Sequence, residues 1–569
     1  MRKTVLFALL LSASGVMADD QNTIRYNQVG YFTQQEKVLI IDQVKPKSIV
    51  LTDGDGKKVA KLRPSRTAVS PFTGKTRYVV DFSKISAPGE YMVNVDGQQA
   101  RVTVSDHPMK DLAKASIQAF YMMRSGMEID PSLAGKFARP LGHPDIQVKI
   151  HPSAASPLRP AGMVIASPYG WYDAGDYNKY IVNSAFTIGL MLAVYEQIPA
   201  YFSSLKLDIP ERDNMTPDLL DEIMYNLKWM LTMQDPYDGG VYHKLTTPDF
   251  EGFVMPSECH QQRYVVQKSV TAALDFAAVM AQASRLFKGS KDYPGIDGQM
   301  LKAAEAAYAW ANEHRDAFYR QKVMNQKFQP AVNTGEYGDG NAKDEWFWAA
   351  TQLALATGGQ HYRDAALQVM PEKFAVPVWG MVSGLGIYAW LTAGDTAMVD
   401  RCKMLLKDFA DQALKNTPTS NFMSPFGDKA SDFGWGCLAE KFCSPAVALL
   451  FADQFVQGDK YLKDALRSLD YVLGRNPLGY CYVTGFGQKS PHNPHQRLSS
   501  ADGVDDPMPG LLVGGPNPGQ QDKGSGLEYA SSAPDESYLD HTASYASNEI
   551  AINWNASLMA LVCWIDAVM

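Results

Sequence analysis

The spacing of apolar residues in the early part of the chain is that of β-structure. Short apolar runs such as 38–41 and 91–95 are separated by turn sequences, one of them Pro88-Gly89. About seven short strands over residues 24–105 are typical of a β-sandwich. We therefore predict a small all-β domain over residues 19–106.

From residue 107 to residue 569, apolar positions instead recur with the period of an α-helix. The predicted helical stretches are 109–126, 178–197, 217–234, 268–288, 300–313, 345–357, 399–415, 442–456, 459–473 and 549–568. So many helices without a repeated sequence unit favour an all-α toroid or solenoid rather than a simple repeat protein. No linker rich in Gly and Ser precedes residue 107, so we expect the two regions to pack together rigidly.

The first eighteen residues have the pattern of a secretory signal peptide. Arg2 and Lys3 precede an apolar run at 5–11, and Val16-Met17-Ala18 offers a cleavage site. We therefore predict export to a periplasm or to the outside of the cell. Later apolar segments are too short to cross a bilayer, so no membrane association is predicted.

Charge and cysteine content exclude several classes of protein. A net charge of −8 provides no basic face for nucleic acid. Six cysteines are too few for a disulfide scaffold, although Cys437 and Cys443 could form a pair or remain buried thiols. The sequence has no nucleophile elbow, phosphate-binding loop, dinucleotide fingerprint or His-Glu-x-x-His motif.

The segment 170–180 carries the clearest chemical pattern. Asp173 and Asp176 flank Gly175, which permits a tight turn, just before a helical run. Two carboxylates at one turn can take a proton from a water molecule and orient it, as glycosidic hydrolysis requires. Neighbouring aromatic residues, including Trp171, could stack on a sugar ring. The same acids could instead cap the helix or, with the following asparagine, form a calcium loop.

Two later segments add candidate groups. Glu549 is predicted in the first turn of the last helix, where the helix dipole favours an ionised carboxylate. It can act as a general acid only if burial or a neighbouring carboxylate raises its pKa, and otherwise it stabilises the helix. In 491–497, His492, His495 and Arg497 could hydrogen-bond sugar hydroxyls, or the two histidines could bind a metal ion.

Taken in order, these three segments resemble glycoside hydrolase family nine, the large cellulase family. Further matching segments are 27–31, 88–91, 217–222, 229–230, 233–235, 344–350, 473–477 and 483–487. The resemblance covers nearly the whole mature chain. It implies an (α/α)6-barrel catalytic domain over residues 107–569, preceded by an immunoglobulin-like sandwich. It also implies hydrolysis of β-1,4 linkages with inversion at the anomeric carbon.

The resemblance assigns roles to individual residues. Asp176 would be the general base, Asp173 its helper in orienting water, and Glu549 the general acid. The substrate would contact His495, Arg497 and Tyr545. Asp344 and Glu345 lie where family members often bind structural calcium, and no cofactor is expected for the chemistry. Inversion predicts that the carboxyl groups of Asp176 and Glu549 lie about 6.5–9.5 Å apart.

Departures from the family pattern leave the substrate open. Cys437-Leu438 replaces a Ser-Asn pair, Gln496 replaces a second histidine, and Gly142 stands where a zinc-binding cysteine occurs in some members. No carbohydrate-binding module follows the barrel, so we expect short, soluble β-1,4-gluco-oligosaccharides to be the substrate.

The main alternative is an exo-β-glucosaminidase. An amino sugar would need another carboxylate beside it, and Asp145, next to His143, is the candidate; both residues are predicted to bind substrate. A random endoglucanase, a non-catalytic sugar-binding protein and a polysaccharide lyase also remain open, as does the oligomeric state.

Overall fold

The N-terminal region is a sandwich of two β-sheets. The structure is a computed structural model that describes residues 22–569 apart from 394, 395, 457 and 459, so the predicted signal peptide at 1–18 lies outside the described residues. The strands are β1 (Ile24–Arg25), β2 (Tyr31–Phe32), β3 (Val38–Asp42), β4 (Ile49–Asp53), β5 (Lys58–Leu62), β6 (Pro64–Val69), β7 (Thr76–Asp81), β8 (Gly89–Val95) and β9 (Gln98–Ser105). One sheet has the order β1-β3-β7-β6 and the other β2-β9-β8-β4-β5.

Alternation along the strands builds the core of this sandwich. In β8, Tyr91, Val93 and Val95 are buried while the residues between them are partly exposed. Val93 lies opposite the buried Ala100 of β9 in an antiparallel register. A strand with one apolar face needs a second sheet to cover it, which explains the two-layer arrangement.

The rest of the chain is mainly helical. Its helices are α1 (Lys110–Met122), α2 (Pro131–Ala134), α3 (Ile181–Tyr195), α4 (Pro199–Ser204), α5 (Asp218–Thr232), α6 (Val270–Leu286), α7 (Ile296–Glu313), α8 (Gln321–Lys327), α9 (Lys343–Thr357), α10 (Gln360–Val369), α11 (Ser383–Ala393), α12 (Thr396–Leu414), α13 (Ser444–Phe455), α14 (Leu462–Val472), α15 (Arg497–Ala501) and α16 (Ile552–Val568). Each predicted helical stretch overlaps one of them.

The longer helices form two concentric rings. The inner ring consists of α3, α6, α9, α11, α13 and α16, and it is packed on the outside by α1, α5, α7, α10, α12 and α14. Every residue of α3 from 181 to 194 and of α16 from 552 to 566 is buried. The outer helices bury one face, as amphipathic helices do. This arrangement is an (α/α)6 barrel.

Helix α11 was not predicted from the sequence. Its residues are apolar on all sides, and Gly384 and Gly386 lower its intrinsic helix propensity. A Cβ atom on Gly386 would lie 2.6 Å from the ring of Phe347 on α9. The glycines therefore allow two inner helices to approach closely, and tertiary packing outweighs the weak local preference.

The sandwich and the barrel share a buried interface. Asp470 on α14 accepts hydrogen bonds from the side chains of Asn27 at 2.8 Å and Gln35 at 3.2 Å. It also forms an ion pair with Arg475 at 2.7 Å. Phe32 and other sandwich residues belong to the same hydrophobic core as the barrel helices. The two domains are thus in direct contact, in keeping with the absence of a linker.

A third sheet holds the loops at one end of the barrel. Its strands are β10 (Val148–Ile150), β11 (Val164–Ile165), β12 (Lys179–Tyr180), β13 (Lys244–Thr246) and β14 (Tyr264–Val265), in the order β11-β10-β14-β13-β12. Strand β12 leads directly into α3, and Tyr180 pairs with Lys244 of β13. The sheet thereby fixes the loop that carries the two aspartates.

The structure decides between the two alternatives for the cysteines. All six cysteines are free, and both Cys437 and Cys443 are buried thiols rather than a disulfide.

Among the described helices, none is both long enough and apolar enough to span a bilayer.

Candidate active site

An open cavity of about 800 Å³ lies at one end of the barrel. Most of its wall is formed by the segments that precede five inner helices, α3, α9, α11, α13 and α16, and by the first residues of α16. The cavity therefore lies at the N-terminal ends of these helices. The cavity is lined by the side chains of Asp173, Asp176, Tyr180, Phe250, Glu336, Tyr337, Trp379, Trp435, Glu440, His495, Arg497, Tyr545, Glu549, Asn553 and Trp554. Carboxylates and aromatic rings thus dominate the wall.

Asp176 is held by donors from its own loop. Its Oδ2 atom accepts a hydrogen bond from the Tyr180 hydroxyl at 3.0 Å and another from the Asn178 amide. The residue before α3 in the N-cap position is Tyr180, so the helix-cap interpretation of the aspartates is wrong. Asn178 Oδ1 accepts from the Thr247 backbone N–H at 3.0 Å, so it does not join the aspartates around a calcium ion.

Asp173 lies beside Asp176 and is fully enclosed. Its two carboxylate oxygens accept hydrogen bonds from the Asn183 amide and from the Tyr337 hydroxyl, both at 2.7 Å. Burial, and then the neighbouring Asp176 carboxylate, raise the pKa of Asp173 well above its usual value. Burial and the adjacent carboxylate thus both disfavour the ionised form of Asp173.

Glu549 reaches the same cavity from the other end of the chain. Helix α16 begins only at Ile552, so the prediction that Glu549 lies in its first turn is wrong. The Glu549 Oε1 atom accepts a hydrogen bond from the Gly175 backbone N–H at 3.3 Å. Burial, and then the charge of Asp176, raise the pKa of Glu549 to about 8. Glu549 therefore carries a proton at neutral pH, as a general acid must.

Gly175 is required by close packing rather than by a turn. Its φ is not in the left-handed region. A Cβ atom there would lie 2.6 Å from the carbonyl oxygen of His495 and 3.0 Å from Glu549 Oε1. Only a residue without a side chain lets the aspartate loop, the histidine segment and the glutamate meet.

His495 and Arg497 line the cavity together with the carboxylates, and their contact with a sugar stays a prediction. The Nδ1 atom of His495 is 2.6 Å from the Thr542 carbonyl, so this nitrogen donates and Nε2 is left as an acceptor. Burial lowers the pKa of His495 to about 4, and the ring is therefore neutral at pH 7. Arg497 donates through Nη1 to the Gly175 carbonyl at 2.5 Å and thereby also supports the aspartate loop.

Tyr545 and His492, the other two candidate sugar contacts in this part of the chain, have different positions. Tyr545 lines the cavity, and its ring lies 5.7 Å from that of Trp435. His492 is exposed and does not line the cavity with His495. The alternative that these two histidines bind one metal ion is therefore wrong.

Trp171 does not bind substrate in this structure. The side chain is 0% exposed and its Nε1 donates to Glu222 at 2.8 Å. Its ring packs against Phe120 in the core, with centroids 4.9 Å apart. The prediction of a stacking role was wrong because Trp171 packs against the outer helices α1 and α5, whereas Asp173 two residues later lines the cavity.

Asp145 and His143 also lie outside the cavity. Asp145 forms ion pairs with Lys179 at 2.8 Å and Arg263 at 3.2 Å, and all three side chains are buried. His143 Nδ1 forms a hydrogen bond with the Tyr172 hydroxyl at 3.0 Å. Their predicted contacts with a sugar are therefore not supported, because their polar atoms face protein groups behind the cavity wall.

One group near His143 has the spacing of metal ligands. Ligand atoms of His143, Glu251 and Cys259 lie within 4.8 Å of one another. However, burial, Arg263 and Lys179 together lower the pKa of His143 well below its usual value. The positive charges that disfavour a proton on this histidine also disfavour a metal cation.

Asp344 and Glu345 have surroundings that fit a cation better. Both lie in the first turn of α9, and Asp344 Oδ2 accepts from the Val382 backbone N–H at 2.7 Å. Both carboxylate oxygens of Asp275 on α6, and Glu345 Oε2, are buried without a hydrogen-bond partner in the described part of the chain. Burial, then the nearby carboxylates, raise the pKa values of Asp275 and Glu345 well above normal. This cluster needs protons or a bound cation to balance its charge.

Sequence reasoning missed several residues of the cavity wall. They include Tyr337, Trp379, Trp435, Glu440 and Asn553. Most lie in a loop or turn before an inner helix, which becomes recognisable as a functional position only when the barrel is known. Tyr180 and Asn178, by contrast, belong to the aspartate motif and could have been included.

Carboxylates that line one aromatic cleft at the end of an (α/α)6 barrel are typical of a glycoside hydrolase. Residues 110–562 match the model of glycosyl hydrolase family 9, and residues 19–100 match a cellulase N-terminal Ig-like domain. The chain belongs to glycosyl hydrolase family 9.

Known proteins resemble the chain over almost all of its length. It is 52% identical over 555 residues to the xyloglucan-specific endo-beta-1,4-glucanase BoGH9A of Bacteroides ovatus, covering 96% of this chain and 94% of that protein. A solved structure described as Bacteroides ovatus GH9 has a TM-score of 0.93 at 51% identity, covering 96% of this chain and 99% of that one. The structure of AaCel9A in complex with cellobiose-like isofagomine has a TM-score of 0.85 at 30% identity, covering the same shares.

Proposed function

We propose that this enzyme hydrolyses β-1,4-linked glucan chains with inversion of the anomeric carbon. The observation that carries the proposal is that Asp173, Asp176 and Glu549 line one cavity although they are distant in sequence. The hydrogen bond from the Gly175 backbone N–H to Glu549 connects the aspartate loop directly with the glutamate.

The chemistry requires one base and one acid. Asp176 accepts a proton from a water molecule, and the water oxygen attacks the anomeric carbon from the side opposite to the leaving group. Glu549 gives its proton to the glycosidic oxygen as the bond to the anomeric carbon breaks. Asp173 orients the water, and its own position is fixed by Asn183 and Tyr337.

Binding groups surround these carboxylates. The free Nε2 of His495 can accept a hydrogen bond from a sugar hydroxyl, and Arg497 adds a fixed positive charge at the wall. Trp379, Trp435 and Tyr545 offer ring faces for stacking against pyranose rings.

A neutral, soluble glucan is the substrate class that these groups favour. The Bacteroides ovatus relative is named as specific for xyloglucan, which makes xyloglucan and its oligosaccharides the first substrates to test. The amino-sugar alternative loses its candidate carboxylate, since Asp145 is neutralised by Lys179 and Arg263. The signal-like pattern at 1–18 supports export, where such a polymer is encountered.

The test is a product analysis of the purified enzyme. The enzyme is incubated separately with xyloglucan, carboxymethylcellulose, cello-oligosaccharides and chitosan oligosaccharides, and the products are separated by chromatography. We expect cleavage of the glucans, with the α-anomer appearing first in the NMR spectrum. Preferential cleavage of chitosan oligosaccharides, or a β-anomer formed first, would contradict the proposal. The Asp176→Asn variant, prepared in parallel, controls for contaminating hydrolases.

We also propose that Asp275, Asp344 and Glu345 hold a structural calcium ion. Their uncompensated buried carboxylates support this, since hard oxygen ligands suit Ca²⁺. The ion would link α6 to α9, two neighbouring helices of the inner ring. It takes no part in the reaction, which is carried by residues of the cavity.

A further inference from the structure

The cavity wall contains two carboxylates that the reaction does not use, Glu336 and Glu440, and Glu336 already accepts a hydrogen bond from the Gln321 backbone N–H at 2.8 Å. Glu440 lies in a π-helical turn, Leu438–Cys443, immediately before α13. Its side chain lines the cavity and accepts no hydrogen bond from any described residue. Irregular helical turns of this kind are often found at functional sites. A carboxylate without a protein partner in a sugar-sized cavity is available for a ligand.

Glu440 is electrostatically separate from the catalytic carboxylates. Burial raises its pKa to about 7, and the one charged group that counteracts burial is Lys441. The charge of Asp176 contributes to the raised pKa of Glu549 but is not among the causes of the raised pKa of Glu440. Glu440 is therefore set apart electrostatically from the carboxylates to which the reaction is assigned.

Asn553 is a second polar group on the same wall. It is 3% exposed, it lines the cavity, and its Oδ1 atom has no hydrogen-bond partner in the protein. An amide left incompletely paired in a buried position is costly unless a ligand completes its hydrogen bonds. Asn553 occupies the first turn of α16, next to Trp554.

Gly436 brings the two polar groups to one wall. Its φ is +64°, and a Cβ atom there would lie 2.3 Å from Nε1 of Trp554. The segment that carries Trp435 and Glu440 is thereby packed against the start of α16. Trp435 remains 44% exposed, so its ring is accessible to a ligand.

We propose that Glu440 and Asn553, with Trp435 as the stacking surface, form a subsite that binds the hydroxyl groups of a glucose unit away from the cleaved bond. This inference rests on the proposed function. The carboxylate accepts hydrogen bonds from two adjacent hydroxyls, the amide completes the set, and the ring covers the apolar face of the sugar. Glu440 is then a residue that determines specificity.

The test uses cello-oligosaccharides of increasing length, from cellotriose to cellohexaose. For Glu440→Ala we expect kcat/KM to fall about tenfold to a hundredfold, the range for hydrogen bonds to a charged group, but only for chains long enough to reach the subsite. Glu440→Gln keeps an acceptor and should lose less. Asn553→Ala should show the same dependence on length with a smaller loss.

The matched control is Ser431→Ala, because this exposed side chain belongs to the same segment before α13 but does not line the cavity. It should leave all substrates unaffected. A loss for Glu440→Ala that is equal for every chain length would indicate a structural role and overturn the proposal, as would no loss at all.

Binding measurements separate this inference from the proposed function. In the Asp176→Asn background, calorimetry gives the dissociation constant of each oligosaccharide without turnover. If the wild-type enzyme cleaves no glucan, the proposed function fails. The subsite is judged independently by whether Glu440→Ala weakens binding of the longer oligosaccharides in that background. Tighter binding of chitosan oligosaccharides than of cello-oligosaccharides would show an ammonium site instead and would overturn the inference.

Discussion

Two clusters of buried carboxylates in the barrel have opposite surroundings. The active-site cluster is Asp173, Asp176 and Glu549, and the α6–α9 cluster is Asp275, Asp344 and Glu345. In the first, every carboxyl group accepts at least one hydrogen bond and faces an open cavity. In the second, Asp275 has no partner for either oxygen and lies in the closed packing between two helices.

The comparison shows that a raised pKa alone does not identify a catalytic acid. Burial raises the pKa of Glu549 and also that of Asp275. Glu549 is distinguished by its backbone hydrogen-bond donor, Gly175, and by its access to the cavity. A proton held there can be transferred to a substrate, whereas Asp275 can only be neutralised in place.

Removing an active-site carboxylate should have the largest effect. We expect Asp176→Asn and Glu549→Gln each to lower kcat by about 10³-fold or more, in line with general acid–base contributions. The two variants should differ on an aryl glycoside whose phenolate leaves without protonation. Glu549→Gln should recover much of its activity on that substrate, and Asp176→Asn should not. Equal behaviour of both variants would contradict the assignment of acid and base.

The close contact at Gly175 provides the next largest effect. Gly175→Ala should lower kcat about 10²-fold, because displacing reacting groups by about 1 Å can cost that much. The control is Gly298→Ala, on α7, where an added Cβ atom meets nothing within 4 Å. It should leave kcat unchanged. Crystal structures of the two variants would show whether the aspartate loop has moved away from Glu549.

The pH dependence should reflect the proton on Glu549. Its pKa is raised to about 8, so the acid is protonated below that value and loses its proton above it. We expect kcat/KM to fall about tenfold per pH unit above pH 8, which a profile on the unbranched glucan would show. On the aryl glycoside, this alkaline decrease should be much weaker. A decrease that persists there unchanged would assign the titration to another group.

The smallest effect concerns the α6–α9 cluster. Chelation should lower the melting temperature by a few degrees, since saturating calcium contributes about 2–4 kcal/mol. The folded-state pKa values of Asp275 and Glu345 lie above their unfolded values, so without calcium these groups stabilise the fold at low pH and lose that contribution as pH rises. The increase in melting temperature produced by calcium should therefore become larger as the pH rises above the ordinary pKa of a carboxyl group, about 4.

The Asp275→Asn variant sharpens that measurement. It removes one charge from the cluster, so the variant should respond little to either calcium or chelator in a thermal melt. Its activity below the melting range should equal that of the wild-type enzyme. A variant that still gains several degrees from calcium would place the ion elsewhere.

Sequence patterns identified the carboxylates of the active site more completely than the other residues that line the cavity. Asp173, Asp176 and Glu549 stand in segments with a recognisable chemical pattern, and the structure brings them together. Trp171 and Asp145 were wrongly assigned to the substrate, because proximity in sequence does not reveal which way a side chain points. Glu440 and Asn553 carried no local pattern, since each is an ordinary polar residue until the barrel places it at the cavity wall.

The sequence by itself determined the change from β-structure to helices near residue 107, the apolar inner helices and the identity of the acidic residues. These properties depend on local periodicity and residue type, which can be read along the chain. Only the tertiary structure decided that Gly175 touches Glu549 and that the Asp145 carboxylate faces Lys179. Contacts between residues more than thirty positions apart depend on how whole helices pack, and no local pattern encodes them.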